Sequence, residues 1–290
     1  SGTFSLSRTK AREKMSEYQL SDPHAYILRL VEAGHLLGTR VIHISVDADE
    51  VQVDFDGVSL MAGELQDIYN AALSSSSSRR TRAMRQIGVA VTAAEAVDPS
   101  VIRVESFSNG HLATLEATAS SNELREEVYS QEHDYFMDFL RIYVREAPRA
   151  GHISEFFEGR RGELPEQRLV RERCRFAKQS VFLNGEGVSG GVPGSVDAPN
   201  AFDIYQGRMH GRVWGSSELD GPHTLHLVQN GVWIRDYEPS VDLDLALRGV
   251  LYVDELQKDL SQADFVDNDE WRLLVDQIIP MIVERAEDGF

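Results

Sequence analysis

The sequence predicts an α+β protein of two domains, in which helices cover one face of a mostly antiparallel sheet and a second α/β domain follows. Its 290 residues correspond to about two domains at roughly 150 residues each. In the first half, helical patterns alternate with pairs of strand-like runs joined by short turns. The pattern changes near Pro148. We therefore place the first domain at residues 1–148 and the second at residues 149–290.

Composition narrows the class of protein. The chain is 42% hydrophobic and 26% charged, which is typical of a globular protein and excludes a mainly disordered one. Its net charge of −18 would repel nucleic acid and anionic membranes. The single cysteine, Cys174, excludes an internal disulfide and a multi-cysteine zinc site. No apolar run is long enough to span a membrane. We expect a cytoplasmic protein.

In the first half, the earliest element is a helix over residues 23–37. Asp22 or Ser21 can cap it, and Gly38 can end it. Alternating apolar residues then predict a strand hairpin that ends at Asp56-Gly57. The elements predicted after it are a helix over 63–73, a serine-rich surface loop that includes Arg79, Arg80 and Arg82, a helix over 84–96, and strands at 101–106, 112–117 and 139–144.

The second half is predicted to hold a charged helix, several strands and a final helix. Apolar residues at helical spacing from Trp271 to Val283 indicate that last helix, and Pro280 should interrupt it. The other predicted elements are a helix over 164–176, a glycine-rich loop over 185–194, and strands at 180–183, 211–214, 224–228, 232–234 and 247–253.

This order of elements resembles the GHKL nucleotide-binding fold of gyrase, the ninety-kilodalton heat-shock chaperones, sensor histidine kinases and MutL. The strings that carry the resemblance are ILRLVEA at 27–33, GTRVIHI at 38–44, FDGVSL at 55–60 and QIGVA at 86–90. The second half is similar to the chaperones' middle domain, an α/β unit related to ribosomal protein S-five. There the strings are LRGVLYVD at 247–254 and LSQ at 260–262.

The resemblance implies a catalytic pair that this chain lacks. The family carries a Glu on its first helix as general base toward water, and an Asn one turn later that ligates magnesium. One register places Arg29 and Ala33 at these positions, and the neighbouring register places Leu30 and Gly34 there. Glu32 has no Asn partner one turn on. We therefore predict no catalytic residue and no metal site.

The family's nucleotide-binding motifs are also incomplete. When Gly57 is aligned with the first glycine of D-x-G-x-G, the adenine-binding Asp becomes Phe55 and the second glycine becomes Ser59. Asp54 or Asp56 could substitute if the strand end shifts. Of the glycines that approach the phosphates in the family, Gly88 alone survives. The Arg of the chaperones' Ser-Arg-Glu turn is replaced by Gln262.

These departures lead to two hypotheses. The first is a non-catalytic relative of the heat-shock chaperone ATPases, a pseudo-ATPase that acts as an interaction or scaffold module and needs no cofactor. The alternative is a protein that binds ATP or ADP through Asp54, Asp56, Gly57 and Gly88, with the arginines at 79–82, and changes conformation with little or no hydrolysis. We expect a protein partner, no nucleic acid, no membrane and a monomer. If the resemblance were accidental, a doubly wound parallel sheet could occupy residues 20–148.

Overall fold

The computed structural model describes residues 20, 22–72, 78–118, 122–128, 137–145, 163–192, 200–216, 222–241, 243, 246–259 and 262–289. They fall into two compact units. The first unit is Ser1–Cys174 with Gln179–Ser189, and the second is Arg175–Lys178 with Gly190–Phe290.

The first unit holds five α-helices, two short 3-10 helices (Pro23–Ala25 and Glu95–Val97) and an eight-stranded sheet among its described residues. Its helices are α1 (Tyr26–Leu37), α2 (Ala62–Gln66), α3 (Ile68–Ala72), α4 (Arg79–Ala94) and α5 (Pro165–Arg173). Its strands are β1 (Val41–Val46), β2 (Glu50–Asp56), β3 (Val101–Ser108), β4 (His111–Ala117), β5 (Asn122–Val128), β6 (Phe139–Arg145), β7 (Ser180–Leu183) and β8 (Glu186–Gly187).

The sheet of the first unit is mostly antiparallel, as predicted. Its order is β5-β4-β3-β6-β2-β1-β7-β8, and the pairing of β1 with β7 is parallel while the other pairings are antiparallel. This topology is not a doubly wound parallel sheet. Helix α1 is buried on nearly every side, and α4 packs along it. Alternate residues of β1, β2 and β6 are buried, so these strands present an apolar face.

The second unit is a five-stranded sheet with a helix at the C-terminal end. The strands are β9 (Phe202–Gln206), β10 (Met209–Ser216), β11 (Thr224–Gln229), β12 (Val232–Tyr237) and β13 (Ala246–Tyr252). Their order is β12-β11-β13-β10-β9, with β11 and β13 parallel. The final helix consists of α6 (Asp269–Leu273), a π turn (Leu274–Ile278) and α7 (Ile279–Gly289), and it packs on one face of this sheet.

The final helix is interrupted near Pro280, as predicted. Asn268 caps its start by accepting a hydrogen bond from the Trp271 backbone N–H at 3.0 Å. Pro280 has no N–H to donate, so the regular α-helical hydrogen bonds cannot continue through it. The π turn lies directly before this proline, where the backbone absorbs the irregularity.

The structure corrects the predicted loop at the arginines. Arg79, Arg80 and Arg82 lie in the first turn of α4 and not in a surface loop. The reason is local, because the Ser78 side chain accepts a hydrogen bond from the Thr81 backbone N–H at 3.1 Å and caps the helix. Residues 73–77 of the predicted loop lie outside the described residues. The helix predicted over 63–73 is instead two short helices, α2 and α3.

Two further differences concern the sheets. Helix α5 and strand β7 belong to the first unit, because β7 pairs with β1, whereas the domain boundary predicted near Pro148 assigns them to the second domain. Strands β5 and β9 were not predicted at all. Strand β5 has the sequence NELREEV and lies at a sheet edge, where charged residues replace the usual apolar alternation.

Candidate functional site

Helix α1 occupies the place where the GHKL resemblance puts the catalytic residues, and it carries a buried ion pair there. Arg29 and Glu32 are 3% and 0% exposed. The Arg29 Nη1 atom lies 3.0 Å from Glu32 Oε1. Each charge is therefore compensated by the other inside the helix layer, and the Glu32 carboxylate is held by an arginine and sealed from solvent.

Phe55, at the family's adenine-binding position, fills the space beside this helix. Its ring is 0% exposed. A Cβ atom added to Gly34 would lie 2.7 Å from Phe55 Cδ1 and 2.8 Å from Ile42 Cδ1. The ring thus packs directly on the bare backbone of α1, which glycine alone permits at this closeness. These residues do not fit a magnesium nucleotide, because they offer neither the carboxylate nor the amide that it needs.

The two candidate aspartates of β2 point away from this contact. Asp54 lies on the sheet face opposite to Phe55, since successive side chains alternate along a strand. Its Oδ1 atom lies 2.5 Å from Arg141 Nε on the neighbouring strand β6. Asp56 is 48% exposed, and its Oδ2 atom lies 3.5 Å from His43 Nε2.

The two candidate glycines also lie apart. Gly57 ends β2 with a φ of +70°, a left-handed conformation that favours glycine, and its N–H donates to the Asp138 carbonyl at 2.9 Å. Gly88 is buried within α4, where its carbonyl accepts from the Thr92 hydroxyl at 2.9 Å. Of the four predicted binding residues, all of which are described, Gly57 lines a cleft and the other three do not.

The cleft lies beside Gly57 in the first unit and has a volume of about 530 Å³. Residues 57–62 form one wall, and residues at the ends of β3 and β4 form another. Among the described residues that line it, Arg80 is the cation, and Glu126 and Asp138 are the carboxylates. This charge balance favours a neutral or weakly cationic ligand over a triphosphate.

An ion pair at the mouth of the cleft fixes residues 57–62. Arg80 Nε and Nη2 donate to the two carboxylate oxygens of Glu64 at 2.5 and 2.6 Å. The same Nη2 donates to the Ser59 carbonyl at 3.0 Å. Ser106 adds a second clamp, since its hydroxyl accepts from the Leu60 N–H at 2.7 Å and donates to the Leu60 carbonyl at 2.8 Å. The Arg80 guanidinium is therefore already bound to Glu64 and to the Ser59 carbonyl.

The Arg80 pair predicts a pH-dependent contribution to stability. The Arg80 hydrogen bond lowers the pKa of Glu64 despite partial burial, which opposes that shift. A lowered folded pKa adds stability above the ordinary glutamate value of 4.5, and this stability is lost as the pH falls through the folded pKa. We expect Arg80→Gln to destabilise the protein by less than about 1 kcal/mol at pH 7, since the pair is half-exposed.

Urea unfolding of wild type and Arg80→Gln at pH 7 and near pH 3 checks this expectation. The difference between the two proteins should shrink at the lower pH, because the stability that depends on ionised Glu64 is lost as the pH falls through its lowered folded pKa. Arg80→Lys is the matched control, because it keeps the charge but loses the two-pronged geometry, and it should fall between them. A difference that is constant with pH would contradict the link to Glu64.

The described part of the chain offers neither a reactive cysteine nor a metal site. Cys174 is fully buried, and burial raises the pKa of its thiol to about 12, so it is not a nucleophile. The described residues contain no group of three or more His, Cys, Asp or Glu side chains that could hold a metal ion. Within the same residues, no helix is long and apolar enough to cross a membrane.

Comparison with solved structures identifies the fold. The chain is similar to the B-subunit of DNA gyrase from Myxococcus xanthus, with a TM-score of 0.60, 12% identity, and coverage of 96% of this chain and 95% of that one. It is also similar to the ATPase and transducer domains of DNA topoisomerase II from Balamuthia mandrillaris, with a TM-score of 0.55, 15% identity, and coverage of 91% and 85%. The ATPase region of Saccharomyces cerevisiae topoisomerase II gives a TM-score of 0.54 at 10% identity, with coverage of 91% and 85%.

These likenesses define the fold as GHKL-type followed by a second α/β domain. They extend over more than nine tenths of the chain and thus over both units. No family model matches the sequence, and no curated protein matches it. The superfamily's fold was predicted from the order of the elements. Two contacts were not predicted, those of Phe55 with Gly34 and of Arg80 with Glu64. The substitution of the family's Asp by Phe55 was the visible signal for the first.

Proposed function

We propose that this chain is a GHKL-fold protein that does not hydrolyse ATP and acts as an interaction or scaffold module. The observation that supports this most is the packing of Phe55 against Gly34. The family needs a polar, open space between these two positions. Here a fully buried aromatic ring closes it.

The general base and the magnesium ligand that this chain lacks contribute large factors to the rate of ATP hydrolysis in the family. A general base contributes roughly a hundredfold to ten-thousandfold in rate. The two possible alignments place either Arg29 or Leu30 at the position of the general base. Both residues are buried, and neither side chain can accept a proton from water at neutral pH. Ala33 and Gly34 offer magnesium no ligand atom from a side chain. These losses fall on one site and act together, so hydrolysis should not exceed the background rate.

Kinship with the heat-shock chaperones is the finer part of this proposal. Two strings support this kinship, and the Arg-Gly-Val string lies in strand β13. The second string begins with Leu260 and Ser261, which lie outside the described residues. The solved structures named above are gyrase and topoisomerase proteins, so the chaperone relation draws its support from the sequence strings.

A second candidate is nucleotide binding in the cleft beside Gly57. Its volume of about 530 Å³ lies in the range of small-molecule sites, and Arg80 could face a phosphate. Binding would require Arg80 to release Glu64, and the ligand would meet Glu126 and Asp138. We rank this candidate second because of those carboxylates.

Thermal melting and phosphate release separate the two candidates. We expect no rise in melting temperature with about 5 mM ATP and magnesium, and no phosphate release above a buffer blank, whereas a ligand at a hundred times its dissociation constant would add about 2.7 kcal/mol of stability. A melting shift that Arg80→Gln abolishes would support cleft binding. Phosphate release by wild type that a folded Arg80→Gln protein lacks would overturn the non-hydrolysing proposal.

A further inference from the structure

The sheet of the second unit has two chemically different faces. One face is apolar, and Val213, Leu247 and Leu251 pack there against the final helix. The opposite face carries a smaller buried cluster of Phe176, Val228, Val250 and Tyr252. Exposed and half-buried residues around it form what we call the basic-aromatic surface, which consists of Arg175, Lys178, His210, Trp214, Trp233 and Arg248.

Strand geometry places these residues together. His210 and Trp214 alternate with Val213 along β10, so they lie on the face away from the final helix. Trp214 is directly opposite Arg248 in the antiparallel pairing of β10 with β13. Such cross-strand neighbours are close enough for their side chains to interact. Trp214 and Trp233 are both half-buried, so each presents part of its ring to solvent.

The cations of this surface rest on aromatic rings. The Arg175 guanidinium lies 4.6 Å from the Phe176 ring and 4.3 Å from the Trp233 ring. The Lys178 Nζ atom lies 3.9 Å from the Tyr252 ring and contacts His210 Nε2. These contacts hold the charged groups in fixed positions at an apolar surface.

The same cations have no carboxylate partner among the described residues. No Asp or Glu oxygen there lies within 4.0 Å of the side-chain nitrogens of Arg175, Lys178 or Arg248. Arg248 instead donates to the Pro222 carbonyl at 2.6 Å and to the Thr224 hydroxyl at 2.8 Å. Asp236 on the same face already accepts from the Trp233 Nε1–H at 3.0 Å and bonds the His226 ring at 2.6 Å. In a chain with 47 acidic and 29 basic residues, cations without a carboxylate partner among the described residues indicate an anionic partner.

The local environment strengthens such a pairing. Desolvation lowers the pKa of Lys178, and the charge of Asp254 opposes this shift. A poorly hydrated ammonium group gains more from an incoming carboxylate than a fully hydrated one does. Tryptophan and arginine are also the residues that most often dominate the binding energy of protein interfaces.

The overall charge decides which anion fits. A nucleic acid strand carries one charge per phosphate over its whole length, so the net charge of −18 would repel the phosphates beyond this surface. Screening over about 8 Å lets a short segment with a few carboxylates respond mainly to the nearby cations. A protein segment with few acidic residues is therefore favoured.

We propose that the basic-aromatic surface binds an acidic peptide segment of a partner protein, whose carboxylates pair with Arg175, Lys178 and Arg248 while an apolar side chain packs on Trp214 or Trp233. This deepens the interaction role proposed above and rests on it. It identifies the partner by chemistry as an acidic segment with interspersed apolar or aromatic residues.

Selection from a display library of random twelve-residue peptides on the full chain tests this proposal. Enriched peptides should be rich in Asp and Glu with aromatic residues between them. Fluorescence anisotropy of the synthesised peptides should show that Lys178→Gln and Arg248→Gln each weaken binding about three- to tenfold, as loss of a charge-assisted contact does. Arg272→Gln is the matched control, because it removes one charge at an exposed pair with Asp267, and it should leave binding unchanged.

Several results would overturn the proposal. Enrichment of basic or purely apolar peptides would do so, as would binding that is unchanged in folded Lys178→Gln and Arg248→Gln proteins. Tighter binding of a twelve-nucleotide oligothymidylate than of the enriched peptides would assign the surface to nucleic acid instead.

Trp214→Phe should weaken peptide binding without altering the melting temperature by more than a few degrees. Peptide binding and phosphate release are separate readouts, so either proposal can fail while the other stands.

Discussion

Replacement of Phe55 by alanine should lower the free energy of unfolding by about 3–5 kcal/mol. The ring is 0% exposed and packs on the backbone of α1, so its removal leaves a cavity between helix and sheet that neighbouring side chains cannot fill without moving. Urea denaturation measures the loss. Met61→Ala is the matched control, because Met61 is 75% exposed, and its effect should stay within about 0.5 kcal/mol.

A double-mutant cycle tests whether the Phe55 ring is in contact with Gly34 of helix α1. Gly34→Ala should destabilise by about 1–3 kcal/mol through overpacking, partly offset by the higher helix propensity of alanine. In the Phe55→Ala background the new methyl group no longer meets the ring and contacts only the flexible end of the Ile42 side chain, so Gly34→Ala should cost clearly less than in the wild type. Strictly additive effects would show that the two residues are not in contact.

Disruption of the buried Arg29–Glu32 pair should cost a similar amount. Glu32→Gln removes the carboxylate charge that faces the buried Arg29 guanidinium, and the expected loss is about 3–5 kcal/mol. The double replacement Arg29→Met with Glu32→Leu removes both charges and should recover most of that loss, because apolar side chains of similar volume can fill the same space.

Chemical denaturation of the three proteins at pH 7 measures these differences. The exposed pair of Arg272 and Asp267 supplies the control, since Arg272→Gln should change stability by less than about 0.5 kcal/mol. If Glu32→Gln were as mild as that control, the carboxylate would have to be hydrated and available to a ligand, and the case against a catalytic role for Glu32 would weaken.

Both predictions concern residues at the positions where the GHKL resemblance puts the superfamily's chemistry. Phe55 and the Arg29–Glu32 pair stabilise the packing of α1, while they remove the open polar space that a magnesium nucleotide needs. We therefore do not expect a single reversion such as Phe55→Asp to create ATP binding, because the missing base and magnesium ligand would still be absent.

Much of the fold followed from local patterns. The hairpin of β1 and β2, helix α1 with its left-handed Gly38 cap, and the interruption near Pro280 all depend on residues close together in the chain. Prediction failed where local signals were weak or were overridden. Strand β5 is charged at a sheet edge, and the Ser78 cap turned the arginines at 79–82 into a helix start.

The sequence by itself determined that this is an α+β chain of GHKL-like element order with catalytic positions substituted, because periodicity, caps and motif spacing are written within short stretches. The tertiary structure alone decided which contacts the substituted residues make. It brought Phe55 onto Gly34, 21 positions earlier in the sequence. It paired β7 with β1, and it gathered cations from two separate segments onto one face of the second sheet. Contacts between distant residues depend on the packing of the whole chain, which local patterns do not encode.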